Sequence, residues 1–275
     1  MKWSLSNAGR EQELRANFQK LSIDCDAPGF LDSAAFLKAE RANPRILEAY
    51  AEFIETRTYS KEYLADAGEK IEIAAEAVRA AVEKDGRQGA CIDASGMLGR
   101  MLDKLGIWNY VAKATLTINY PEKSKLSPTH FWEFDEGQFA APHAIVVAPP
   151  FGAIDVTVRH QGYSNHEERY LPPAVLATVF EDAGWNAEDL ASQKMRVYLQ
   201  VRGMAFHDFV ATQRPGLLQV INTLRPRKIV VNGTSLKYVV VAVGGTIEQL
   251  DDITGYKPSG RTAKQIFIED VLPKV

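Results

Sequence analysis

Cysteine is scarce in this chain: Cys25 and Cys91 are the two in 275 residues. A disulfide framework needs a denser set. A tetrahedral Cys/His zinc site would draw on several histidines besides, and there are five in all. Long apolar runs are lacking too. The densest, Tyr238 to Val243, falls far short of the roughly 18 residues needed to cross a bilayer. Met1 to Arg10 carries no apolar h-region, so it does not read as a secretory signal. Nor is there an excess of charge of one sign. The 32 basic and 35 acidic side chains leave a net charge of −3, which argues against a dedicated nucleic-acid binder. These absences lead us to expect a soluble cytoplasmic protein whose thiols stay reduced and which takes no membrane partner. With 46% apolar and 24% charged residues the chain has an ordinary globular composition, long enough to bury a core without staples. Each cysteine must then be explained singly, as a small buried residue or as a reactive thiol.

The first third reads as helical. Leu14, Phe18 and Leu21 share one face, and Ile46, Leu47, Tyr50, Phe53 and Ile54 fall at helical spacing after Pro44. Glu69 to Lys84 is rich in Ala and Glu, with Asp85-Gly86 as its stop. A further helix opens at Cys91, carries an apolar stripe through Ala94, Leu98, Met101, Leu102 and Leu105, and ends at Gly106. The period then changes. Tyr110 to Tyr120, His130 to Phe134, His143 to Ala148 and Ala153 to Val158 read as strands, the last two joined by Pro149-Pro150-Phe151-Gly152. Helices followed by a meander predict an α+β fold.

Beyond Tyr163 the pattern predicts a helix over Pro172 to Ala183 and a strand over Lys194 to Val201. It also predicts a hairpin turning at Asn232-Gly233, a helix over Thr246 to Ile253 and a last strand at Gln265 to Ile268. A boundary near residue 165 would divide the chain into 1–165, a helical region plus a core, and 166–275, a C-terminal α+β extension.

Cys91 follows Gly86-Arg87-Gln88-Gly89-Ala90 and opens a helix. Unpaired backbone N–H groups and the helix dipole favour negative charge there, which lowers a thiol pKa. A thiolate catalyst needs an imidazole, and the imidazole needs an orienting carboxylate or amide. His143 and Asp155 lie on consecutive predicted strands. They share a face if the connecting loop has an odd number of residues, such as Pro149 to Phe151. That loop would set His143 opposite Thr157 and leave Asp155 as its diagonal neighbour. A two-residue loop would separate the faces unless a bulge intervenes. His130, in His130-Phe131-Trp132, is a competing imidazole, with Asp135 or Asp155 as partner. Gln88 is a candidate second oxyanion donor beside the Cys91 backbone N–H.

Gly89-Ala90-Cys91 with Leu98, Leu102 and Leu105-Gly106-Ile107, then His143-Ala144-x-Val146, then Gly152-Ala153-Ile154-Asp155-x-Thr157, resembles the transglutaminase-like superfamily. The resemblance spans residues 86–160. It implies a papain-like core, with N-terminal helices packed on an antiparallel sheet, and a Cys91–His143–Asp155 triad acting on a protein, peptide or small amide through a thioester, without cofactor or metal. His130-Phe131-Trp132 also resembles the family's His-x-Trp segment, which makes His130 the alternative imidazole; with His143 in that role, His130 and Trp132 are oxyanion or substrate-binding candidates beside the site. Two positions depart from the family pattern: Ile145 stands where Trp is usual and Val156 where Pro is usual. Arg87-Gln88-Gly89-Ala90-Cys91 also resembles the arylamine N-acetyltransferases, whose acetyl-CoA-dependent chemistry uses the same three residue types. However, Asp93 and Ser95 replace that family's Glu and Asn. A third reading is a binding or scaffold module that keeps the fold without the chemistry.

Other features read more simply. Cys25 lies between Asp24 and Asp26, two carboxylates that would raise a thiol pKa, and is expected to be a non-catalytic loop residue. His160 and His166 read as solvated loop residues. Arg214, Arg225, Arg227 and Lys228 form a basic run expected on a solvated face. Gly244-Gly245 lacks the Lys-Ser/Thr of a phosphate loop.

Overall fold

Several of the N-terminal helices form where apolar periodicity and a side-chain cap coincide. A computed structural model describes residues 3–135, 142–244 and 248–275. It contains α1 (Ala8–Lys20), α2 (Ala34–Ala42), α3 (Ile46–Thr56), α4 (Lys61–Asp85) and α5 (Cys91–Lys104) in the first part of the chain. Asn7, Ser33 and Ser60 cap α1, α2 and α4 by accepting from first-turn N–H groups. Gly86, with φ 73°, ends α4 in the left-handed conformation that glycine adopts without strain.

The strands are β1 (Tyr110–Asn119), β2 (Thr129–Phe131), β3 (His143–Ala148), β4 (Phe151–Asp155), β5 (Val175–Ala177), β6 (Glu181–Asp182), β7 (Arg227–Val231) and β8 (Thr234–Val243). They form one antiparallel sheet in the order β5-β4-β3-β1-β8-β7-β6, with β2 also paired to β1. The fold is α+β. The sheet runs across position 165, because β8 pairs with β1 from Ala112↔Val243 to Asn119↔Ser235 and β5 pairs with β4. Segments from 166–275 therefore flank strands from 1–165 on both sides.

One apolar layer lies between α1–α3 and the sheet face carrying Ala112, Ala114, Leu116, Ile145, Val147 and Tyr238. A second lies between α4, α5 and the face carrying Val146, Ala148, Ile154 and Val156. The alternation Ile145/Val147 against Val146/Ala148 explains why β3 is apolar from Ala144 onward: both of its faces are covered.

Several sequence expectations need correction. Pro172 to Ala183 is not a helix; it holds the short strands β5 and β6, with Val175 and Ala177 turned inward and Leu176 less so. Lys194 to Val201 is not a strand but lies in α7 (Gln193–Val201), which follows the short α6 (Ala187–Leu190). Ser192 caps α7, and Met195 and Leu199, four apart, are its buried residues. The run Ala205 to Leu224 holds α8 (Phe206–Gln213) and α9 (Leu217–Thr223), separated by Pro215-Gly216. Gln265 to Ile268 is not a strand. It spans the end of α10 (Ala263–Ile266), opened by a capping box of Thr262 and Gln265, and the start of a π-helical continuation over Phe267–Val271. Of the helix expected over Thr246 to Ile253, residues 246–247 lie outside the described residues, and Leu250–Asp252 forms a single 3-10 turn. The hairpin at Asn232-Gly233 forms as expected, with φ 51° and 82° at the two turn residues.

Candidate active site

Cys91 is the first residue of α5, and Ala90 before it offers no side-chain cap. The first-turn N–H groups therefore remain available to an anion. Two hydrogen bonds place this helix end against the sheet. Ser95 Oγ donates to the Ala144 carbonyl at 3.1 Å, and the Gly89 N–H donates to the His160 carbonyl at 3.0 Å. The first tie holds α5 to the start of β3, and the second holds the preceding loop to the chain just past β4. Because β3 and β4 are antiparallel, the start of one and the end of the other lie at the same end of the sheet.

That end carries His143 and Asp155. The β3–β4 connection is a two-residue turn, with Ala148 opposite Phe151, which by itself would have set the two side chains on opposite faces. A register shift between Val146 and Ala148 places Val146 opposite Ile154, so β4 holds one extra residue as a bulge. The shift restores the register of an odd loop: continued, it sets His143 opposite Thr157 with Asp155 diagonal to it. The bulge is braced. A Cβ at Gly152 would collide with the Phe180 ring, and the Gly152 carbonyl accepts from the buried Arg227, which also pairs with Glu55. The two-residue turn lets the strand begin earlier than the expected Ala153–Val158, and it spans Phe151–Asp155.

His143 Nε2 donates to Asp155 Oδ2 at 2.6 Å, and both side chains are fully buried. Its Nδ1 is buried without a partner at hydrogen-bond geometry among the described residues. The Cys91 thiol is the other group coupled to the ring. Burial pushes the thiol up, but the neighbouring His143 ring and its charge outweigh this and bring it below its ordinary value. Burial alone would lower the imidazole. The Asp155 charge and hydrogen bond, reinforced by the thiol, instead hold His143 well above its usual range. A lowered thiol beside a raised imidazole favours a thiolate–imidazolium pair.

The remaining expected site residues lie elsewhere. Leu116 faces Phe131 across β1–β2 while Thr117 faces His130, so alternation puts Phe131 on the His143 side and His130 on the other. The Phe131 and His143 ring centroids are 5.8 Å apart. His130 instead meets Thr117 Oγ1 at 3.2 Å through its Nδ1 and stacks on Trp132 at 5.2 Å. The competing imidazole is thus separated from Asp155 by the sheet itself, and Trp132 goes with it. Gln88 is exposed on the loop before α5, its Oε1 beside Gly162.

Cys25 is buried in the α1–α3 layer, and its pKa is raised first by burial and only then by Asp26 and Asp24. The basic run does not form a free cationic face: Arg214 pairs with Glu133, Arg225 with Asp182, Arg227 with Glu55 and Lys228 with Glu181. Among the described residues no group of three or more His, Cys, Asp or Glu side chains is placed to hold a metal ion, and no helix is long and apolar enough to cross a membrane. A cavity of about 440 Å³ has Ile92, Asp93, Met97 and Ala144 in its wall; these include the chain neighbours of Cys91 and His143, but neither of those two side chains lines it.

Two partners of Asp155 carried no assigned role in the sequence reading. The Thr157 N–H and Oγ1 donate to Oδ1 at 3.0 and 3.2 Å, and the Tyr238 hydroxyl donates to Oδ2 at 3.0 Å. Asp-x-Thr is a spacing that favours a local side-chain-to-backbone turn, so Thr157 was open to inference. Tyr238 lies 83 residues away within an apolar strand and carried no local signal. Comparisons with known protein families, with curated proteins and with solved structures found no match for this chain.

Proposed function

We propose that this protein is a cysteine-dependent acyl-transfer enzyme with a transglutaminase-like, papain-like core. The observation that carries the reading is the environment of His143. One ring nitrogen is fixed by a buried carboxylate, and the other is left to a thiol at an uncapped helix N-terminus. In this reading the Cys91 thiolate attacks a carbonyl carbon, and the C–S bond forms as the carbonyl oxygen takes the negative charge. First-turn N–H groups of α5, that of Cys91 foremost, receive this oxyanion; one such donor is typically worth about 3–4 kcal/mol in the transition state. His143 then gives its proton to the departing amine as the C–N bond breaks, leaving a thioester. Water or a second amine, deprotonated by His143, resolves the thioester and restores Cys91. Asp155 holds the imidazole in the tautomer that points Nδ1 at sulfur. The substrate class is a protein, peptide or small amide.

Competitive alkylation tests this reading. With limiting iodoacetamide at neutral pH, peptide mapping is expected to find Cys91 labelled at least tenfold faster than Cys25. Equal rates at the two thiols would overturn the proposal.

A further inference from the structure

Asp155 is held by more donors than an imidazole partner requires. Thr157 supplies two to Oδ1, while Oδ2 is shared between His143 and the Tyr238 hydroxyl. Tyr238 is 1% exposed and stands on β8 opposite Leu116. It therefore shares the sheet face of Ala114, which stands opposite His143 on the other flank of β1. The Tyr238 and His143 ring centroids are 6.5 Å apart.

We propose that Tyr238 is a positioning residue of the Cys91 site, acting on the imidazole through Asp155. The torsion about the Asp Cβ–Cγ bond is intrinsically broad, with no sharp staggered wells. Thr157 restrains only one oxygen, so the other could still move toward or away from the ring. The Tyr238 hydroxyl restrains that second oxygen and sets the carboxylate plane in line with Nε2. Burial, followed by the Asp155 charge, keeps the phenol protonated well above its ordinary range, so it remains a donor wherever the thiolate forms. The titratable and charged groups around it are Asp155, His143, Tyr163 and, opposite it on β7, the buried Arg227, which is paired with Glu55; Tyr163 is also held protonated, first by burial. The inference rests on the proposed acyl-transfer reading. It adds that the orienting carboxylate depends on a strand from beyond residue 165.

The test is Tyr238→Phe, which keeps the ring and its packing and removes only the hydroxyl. The readout is the pH profile of iodoacetamide labelling at Cys91, with Cys25 as the internal control and thermal melting alongside. A less firmly held Asp155 stabilises the imidazolium less, so the thiol becomes less acid. We expect the Cys91 profile to move alkaline by about 0.5–1 unit, so that its labelling on the acid limb, below the thiol's midpoint, slows about three- to tenfold. Thr157→Val, which keeps the N–H and loses Oγ1, should shift the profile the same way by less. A purely structural role would lower the melting temperature and leave the Cys91 profile where it was. Profiles for both variants that superimpose on the parent would overturn this inference alone. A parent protein whose Cys91 labels no faster than Cys25 would overturn the acyl-transfer reading and this inference with it.

Discussion

His143 Nε2 and Asp155 Oδ2 are 2.6 Å apart with both side chains fully buried. All the bonds that reach Asp155 come from donors: the His143 ring N–H, the Tyr238 hydroxyl, and the N–H and hydroxyl of Thr157. A group surrounded in this way must be an acceptor at both oxygens. Asn in its place turns an NH₂ toward one set of donors. Asp155→Asn is therefore expected to destabilise the fold by about 1–3 kcal/mol, the cost of an unsatisfied buried donor. It should also slow acyl transfer by about 10⁴-fold through the wrong imidazole tautomer. Urea denaturation and single-turnover kinetics measure the two losses. Parent-like values for both would show that the carboxylate is dispensable.

The pH dependence follows from the directions of the two shifts. The thiol lies below its ordinary value and the imidazole is pushed up to about 10. The reactive thiolate–imidazolium pair is complete between the two. Activity is expected to rise as pH passes the lowered thiol value, to be high already at neutrality, and to fall as the imidazolium loses its proton toward pH 10. A rate that climbs only above about pH 8.5, as for an unperturbed thiol, would contradict this arrangement. Measuring labelling and turnover from pH 5 to 10.5 separates the two outcomes.

The two histidines once in competition make opposite predictions. His143→Gln removes the ring coupled to Cys91 and should slow its alkylation at pH 7 by about tenfold or more, as the thiol returns toward its free pKa. His130→Gln, changed on the far face of β1, should leave the Cys91 rate within about twofold, since the thiol keeps its partner and hence its pKa. The reverse pattern, read by the same mass-spectrometric mapping, would return the site to His130.

The elements legible in the sequence were those whose periodicity and stop signals agree, such as α4 ending at Gly86, α5 opening at Cys91 and the hairpin at Asn232-Gly233. The misread segments are short and carry mixed signals. In α7, Val197 and Val201 favour a strand, while the cap at Ser192 and the Met195/Leu199 pair decide for a helix. In α10 the capping box of Thr262 and Gln265 decides for a helix where the apolar run Ile266-Phe267-Ile268 favours a strand. At the candidate site, Cys91, His143 and Asp155 were reachable because each lies within about 65 residues in a readable order. The device that joins the latter two was not. The β4 bulge depends on Phe180 and Arg227, and the hold on Asp155 depends on Tyr238, all distant in sequence and brought near only by sheet register.

The most direct test of the account uses p-nitrophenyl acetate as acyl donor, followed by intact mass and peptide mapping after a rapid acid quench. The account predicts a burst of p-nitrophenolate approaching one equivalent per chain, with a single acetyl group on Cys91 that hydroxylamine removes. It also predicts that Cys91→Ser loses both the burst and the adduct while keeping the parent's thermal transition. Absence of a burst, or acetyl distributed equally between Cys91 and Cys25, would contradict it.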